Sequence, residues 1–231
     1  MTDVLTPPQL LITPRTAQLR LQARWELAAR HPLNFLRWFV FTLDQHDQTT
    51  PVKAFPWQKP HIRAMTALWL DNPLLIIAKS RQMVETWLFC ALHLWLGIFR
   101  KGQLVMLQSK REEDAVGNET AGDGLVGRSL FMLHHVPYAH LLLPEVRETT
   151  TKIEFPSSNN TLWAIPQGPD IIRQRTCSAL FSDECGVQPD FEDAYTAAVP
   201  TIMGGGRFTG LFTANPGFAQ RLFEDAIDED G

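Results

Sequence analysis

Lys79-Ser80-Arg81-Gln82-Met83-Val84-Glu85-Thr86 lies between a continuous apolar run, Leu74 to Ile77, and an apolar stretch of helical length. A loop from a buried strand to a helix start presents free backbone N–H groups and the positive end of the helix dipole, and both favour phosphate. The usual phosphate loop reads GxxxxGK followed by Ser or Thr, with Lys on the β- and γ-phosphates and the hydroxyl on Mg²⁺. Against that pattern Thr86 keeps the hydroxyl. Lys79 takes the slot of the first Gly, Val84 that of the second, and Glu85 that of the Lys. A carboxylate cannot hold phosphate as a cation does, so Glu85 is expected to turn away. Lys79, at the strand end, is the expected substitute, with Arg81 second. Ser80, Gln82, Met83 and Val84 complete the loop whose backbone would cradle the phosphates. Alone, this stretch also fits an ordinary strand–loop–helix corner.

Three further stretches bear on it. Ser178 to Phe181 is an apolar run that ends in Ser182-Asp183-Glu184. The first acid of such a pair suits Mg²⁺, and the second suits a water to be oriented and deprotonated. Leu211-Phe212-Thr213-Ala214-Asn215-Pro216 again ends an apolar run in polar groups, and Thr213 and Asn215 could sense a γ-phosphate; a plain Asn-Pro turn is the equal alternative. Phe55-Pro56-Trp57-Gln58 sets an aromatic beside an amide, a pair that can stack on adenine and read its edge; a helix start with a buried Trp is the equal alternative.

The elements must place these groups together. Thr16 to Ala29 and Asn34 to Phe41 have helical apolar spacing. A helix is expected to open at Phe55 to Gln58 and run to about Trp69. Leu74 to Ile77, Leu104 to Leu107, Ser178 to Phe181 and Phe208 to Thr213 read as four buried strands, the first of them buried on both faces. Helices are expected at Thr86 to Phe99, from near Arg111 and at Ser129 to His135, with Gly122 to Gly127 as loop. Thr151 to Phe155 and Thr161 to Ile165 flank a hairpin turn. Buried strands alternating with helices predict an α/β fold with a mostly parallel, doubly wound sheet.

Composition sets bounds. At 231 residues, 45% hydrophobic and 20% charged, the chain needs no disulfide or metal staple to fold. Cys90, Cys177 and Cys185 form no metal spacing and suit a reducing compartment. No signal peptide or membrane span is expected. The net charge of −4 argues against a broad nucleic-acid-coating surface, though not against a local basic patch. Glu224, Asp225, Asp228, Glu229 and Asp230 read as a solvated helix end or linker. His134, His135 and His140 lack acids at ligand spacing, so no metal site is expected there.

Taken in order, these motifs resemble the ATPase domain of the large terminase subunit of tailed double-stranded DNA phages. The matching pieces are Phe55-x-Trp57-Gln58, Lys79-Ser80-Arg81-Gln82-Met83-x-x-Thr86-Trp87, Gly168 with Ile172-Arg173-x-x-Thr176, Phe181-x-Asp183-Glu184, and Thr213-Ala214-Asn215-Pro216. The resemblance covers roughly residues 30 to 220. It implies a P-loop NTPase of the additional-strand, conserved-glutamate (RecA-like) class, with an N-terminal helical extension and a small lid. The implied layout is residues 1–50 as extension and lid part, 51–220 as core with the lid at about 120–150, and 221–231 as an acidic linker. It implies binding of ATP and Mg²⁺, with Thr86 and Asp183 on the metal, Glu184 as catalytic base, Lys79 on phosphate, and Gln58 with Trp57 at adenine. Arg128, or else Arg173, resembles an arginine supplied by a neighbouring subunit. The implied partners are double-stranded DNA, a portal protein, a small terminase subunit and further copies in a ring, expected to be a pentamer, in the host cytoplasm and transiently docked at the procapsid portal. The family's nuclease domain has no counterpart after Asn215, so no nuclease activity is expected of this chain. Two other readings stay open: a superfamily 2 helicase-like translocase, and a catalytically weak assembly module, which Val84 and Glu85 favour.

Overall fold

The computed structural model describes residues 14–44, 46–47, 49–79, 84–213 and 217–228. Two helices, α1 (Pro14–Arg30) and α2 (Pro32–Phe39), come first among the described residues and pack on each other. His31 separates them: its imidazole Nδ1 accepts from Leu33 N at 3.1 Å, and Pro32 fits the first turn, where no N–H is needed. A two-stranded ribbon of β1 (Phe41–Leu43) and β2 (Val52–Ala54) leads to α3 (Pro60–Asp71). Phe55 to Gln58 is therefore a turn, and the helix expected there starts at Pro60. The order continues β3 (Leu74–Ala78), α4 (Glu85–Phe99), β4 (Leu104–Gln108), α5 (Glu112–Val116), α6 (Leu125–His134), α7 (Ala139–Leu142), β5 (Arg147–Glu148), β6 (Lys152–Phe155) and β7 (Asn160–Ile165). Then come α8 (Asp170–Gln174), β8 (Ala179–Ser182), α9 (Phe191–Met203), β9 (Arg207–Phe212) and α10 (Phe218–Asp228).

Seven strands form one sheet in the order β3-β9-β8-β4-β7-β6-β5. The first five are parallel, and β6 and β5 add antiparallel at one edge. The expected α/β class and mostly parallel sheet are what the structure has. The expected hairpin is β6–β7, closed by Asn159 in the left-handed region (φ 54°), and it extends the main sheet. β9 lies between β3 and β8, so the two candidate site strands are separated by one strand.

The pleat sorts the strands into two cores. Val105, Leu107, Ala179 and Phe181 face the core that holds α1 to α4 and α6, while Met106, Leu180 and Phe208 face the core that holds α8 and α9. α4 sits inside the first, with twelve of its fifteen residues buried, which is why its sequence is apolar all round. The expectation that Leu74 to Ile77 is buried on both faces fails. β3 is an edge strand among the described residues, and Leu74 is 39% exposed. The loop expected to last to Gly127 ends at Gly124, since Gly127 lies inside α6. α6 packs on α4, β4 and β7, and α10 packs on β3 and α9.

Candidate nucleotide site

The C-terminal ends of β3, β9, β8 and β4 converge, as ligand sites in open α/β sheets do. Lys79 N donates to Phe212 O (2.8 Å), and Asp183 N donates to Gln108 O (2.9 Å), so each functional residue is pinned to the neighbouring strand as it leaves its own. Thr86 lies in the first turn of α4, behind Val84 at the N-cap.

Lys79 Nζ donates to Thr86 Oγ1 and to Asp183 Oδ1, both at 2.7 Å, and Thr86 Oγ1 donates to Asp183 Oδ2 at 3.0 Å. The ion pair is nearly buried, with side-chain exposures of 11% and 9%. Glu184 follows in the left-handed region (φ 52°, ψ 34°), and its N–H donates to Asp183 Oδ1 at 3.0 Å. That turn sends the two carboxylates apart, Asp183 inward and Glu184 into solvent. The ammonium sits where two hard oxygen donors converge, and those donors suit Mg²⁺, which takes a few protein oxygens and completes its shell with water and phosphate. Thr86 and Asp183 would hold it.

Two clefts meet at this corner and share Lys79, Thr86, Arg128 and Glu184. The first, about 780 Å³, is walled by Glu112, Glu113, Asp114, Asn118 and Asp123. The second, about 750 Å³, is walled by Thr42, His46, Lys53, Pro56, Glu85 and Thr213. A triphosphate is better matched by the second, whose wall sets His46 and Lys53 (itself paired with Asp47 at 2.6 Å) against Asp44, Glu85 and Glu184, than by the first with its six carboxylates.

The sequence-derived residues fall in three groups. Lys79, Val84, Glu85, Thr86, Arg128, Asp183, Glu184 and Thr213 come together here. Glu85, expected to point away from the phosphates, is placed at the edge of the site. It is 3% exposed and lines the second cleft, in the first helical turn, where a carboxylate suits the dipole. Gln58, Trp57 and Arg173 are not among the lining residues. Gln58 and Arg173 are exposed, and Trp57 is covered by Arg37, whose guanidinium lies 4.9 Å from its ring, so Pro56 is the part of that motif that reaches the cleft. Ser80, Arg81, Gln82, Met83, Ala214, Asn215 and Pro216 lie outside the described residues.

The sequence reading missed a buried relay behind the acids. Gln108 Nε2 donates to Pro166 O (3.1 Å) and Gly168 O (3.2 Å), Ser182 Oγ donates to Gln108 Oε1 (3.3 Å), and Gln188 Nε2 donates to Ser182 Oγ (3.1 Å) and Asp183 O (2.8 Å). It also missed the acids after β4. Their signal was available: polar residues directly following a parallel strand.

No protein-family model matches the sequence, and no curated protein does. The structure is similar to that of the HK97 bacteriophage large terminase, at 16% identity and a TM-score of 0.60, over 87% of this chain and 42% of that one. This chain thus spans less than half the length of that protein. The ATPase domain of the Thermus phage P74-26 large terminase is similar at 14% identity and a TM-score of 0.51, over 65% of this chain and 64% of that one. A point mutant of that domain matches at 14% identity and 0.54, over 71% and 70%. The likeness shows the fold: a mostly parallel seven-stranded α/β sheet of the kind found in large-terminase ATPase domains.

Proposed function

We propose that this chain is the ATP-hydrolysing motor domain of a viral large terminase, driving double-stranded DNA into a procapsid. The observation that carries the reading is the Lys79–Thr86–Asp183 triad, assembled from a loop and a strand end about a hundred residues apart on strands flanking β9. In this reading the triphosphate lies at the shared corner and the nucleoside enters the second cleft. Lys79 leaves Asp183 for the β- and γ-phosphates. Glu184 accepts a proton from the water that attacks the γ-phosphorus, and ADP and phosphate are released. Thr86 and Asp183 would hold Mg²⁺, which when bound would supply charge neutralisation for the phosphates. Arg128 neutralises charge that develops on the transferred phosphoryl group. A portal protein, a small terminase subunit, a ring of copies and action in the host cytoplasm at the portal follow from the same reading. Among the described residues, no helix is long and apolar enough to cross a membrane.

The test is ATP turnover and nucleotide binding by the wild type, Lys79→Ala and Glu184→Gln at high protein concentration. Lys79→Ala should lose binding, and Glu184→Gln should bind but turn over at least a hundredfold more slowly. Three equally inert proteins that bind no nucleotide would sink the motor reading in favour of an assembly module. Loss of binding in Arg81→Ala but not Lys79→Ala would move the cation to Arg81.

A further inference from the structure

The charge of this protein is unevenly placed. Residues 14–63 hold eight Lys and Arg against Glu26, Asp44 and Asp47, a net of +5, which leaves −9 for the rest of a chain whose total is −4. Much of this excess lies on one face. Arg24 of α1 and Arg37 of α2 both lie on the ring of Trp38, at 5.7 and 5.1 Å, and Arg37 also lies on Trp57, at 4.9 Å. Arg20 is one helical turn before Arg24. Lys59 is two residues beyond Trp57, and Arg63 is one turn further, its N–H donating to Lys59 O at 3.2 Å. All five cations are exposed, and among the described residues none is ion-paired. Glu26 stands two residues from Arg24, and residues at that spacing do not share a helix face.

We infer that this Arg–Trp face, formed by α1, α2 and the start of α3, docks the phosphate backbone of duplex DNA without reading sequence. The inference rests on the motor reading for its biological setting but on the charge geometry for its substance. Unpaired cations in a row are what counterion release rewards, since each phosphate neutralised frees condensed ions. Stacking on Trp38 and Trp57 holds the guanidinium planes in place and leaves their N–H edges free for phosphate oxygens. An acidic protein partner fits less well, because protein interfaces are built around an apolar centre. Here the two indoles between the cations are already covered by arginine.

The experiment is the binding of a labelled duplex of about 30 base pairs, without nucleotide, across a salt series. The proteins compared are the wild type, Arg24→Glu with Arg37→Glu, the milder Arg24→Gln with Arg37→Gln, and a control, Arg147→Glu with Arg221→Glu. The control arginines are exposed and ion-paired, to Glu145 and Glu192. The reversed pair should weaken binding at least tenfold near 0.1 M salt, and either pair should lower the slope of log K against log salt by about 2. The control should change neither. If the reversed pair melts early, the Gln pair decides. Equal affinity and slope in wild type and face variants would overturn the inference and leave the ATPase reading standing. Duplex binding through this face by a wild type that hydrolyses no ATP would keep the face and remove the motor. Unchanged duplex affinity with a loss of salt-sensitive self-association would assign the face to the acidic α10 of a second copy, and would also overturn the inference.

Discussion

Val84 carries the backbone of a glycine (φ 67°, ψ 7°) on a β-branched side chain, at the slot where a phosphate loop has its second Gly. The left-handed region costs an L-residue about 1–2 kcal/mol, and strain of this kind tends to be kept at functional sites. The sequence showed that a Gly was missing; it did not show that the backbone keeps the glycine conformation anyway. Comparing Val84→Gly with Val84→Ala brings out the strain, because both lose the valine's two γ-methyl groups and differ only in Cβ. At an ordinary position Ala is the more stable by roughly 0.5–1 kcal/mol. Here the order should reverse, with Gly ahead by about 0.5–1 kcal/mol once the left-handed penalty on Ala is included. Denaturant midpoints of the two variants settle it, and Ala ahead of Gly would mean the loop relaxes out of this conformation. Lys79 makes a second point. Its pairing with Asp183 was not legible, because strand order, not spacing, brings positions 79 and 183 together. Removing one partner of a nearly buried pair costs about 3–5 kcal/mol, so Lys79→Met should melt markedly earlier, and Asp183→Asn with Lys79→Met should recover part of the loss.

The helices show where periodicity helps and where it fails. α4 was legible as a helix from its apolar length, but its central place was not, since an all-apolar helix has no face to read. His93 is the polar exception in it. Fully buried, its Nδ1–H donates to Phe89 O at 2.7 Å, and its ring stacks on Phe181. Burial drives its pKa down to about 3, against the smaller upward pull of that hydrogen bond. The folded state therefore keeps the ring neutral, while the unfolded chain takes up a proton below about 6.5. Stability should be intact above pH 6.5 and fall by up to ~1.4 kcal/mol per pH unit between there and about 3. His93→Leu should flatten that part of the curve whatever its constant offset, as read by chemical denaturation at pH 7, 6, 5 and 4. His134 has the opposite sign. Burial disfavours its charged ring, but Glu119 and Glu148, each 2.7 Å from a ring nitrogen, outweigh that and raise its pKa. Its contribution is present below pH 6.5, is lost as pH rises, and for so exposed a cluster is at most about 1 kcal/mol. Local spacing gave no acids near His134, because they come from the loop before α6 and from β5. The α5–α6 junction depends on glycine. A Cβ on Gly124 (φ 61°) would fall inside the backbone of Val116 and Gly117. Gly124→Ala should thus cost at least ~2 kcal/mol and open the acidic cleft wall.

Across the whole molecule, the sheet was legible as a class because buried runs alternate with helical stretches. Its order was not, and the order creates the site. Placing β9 between β3 and β8 is what lets Lys79 and Thr86 reach Asp183 across one intervening strand. The order also bears on Arg128. Resemblance suggested an arginine lent by a neighbour. In the fold, Arg128 lines both clefts of its own chain, one helical turn beyond Gly124, whose carbonyl oxygen accepts from its Nη1 at 2.9 Å. Its guanidinium lies 5.7 Å from the ring of Trp87, which immediately follows Thr86. That placement predicts that Arg128 serves the subunit that carries it. Mixing two inactive proteins separates the cases. If Arg128 acted across an interface, an Arg128→Ala subunit keeps an intact Lys79–Asp183–Glu184 corner, and a Glu184→Gln neighbour would supply the missing guanidinium, restoring turnover in mixed assemblies. With Arg128 acting within its own chain, no mixture contains a complete site. The expected result is turnover no higher than the sum of the two proteins measured alone, at every ratio and at concentrations where copies associate. Wild-type protein titrated with Glu184→Gln serves as the positive control for mixing. Restoration above that sum would show that assembly turns α6 toward a neighbouring site.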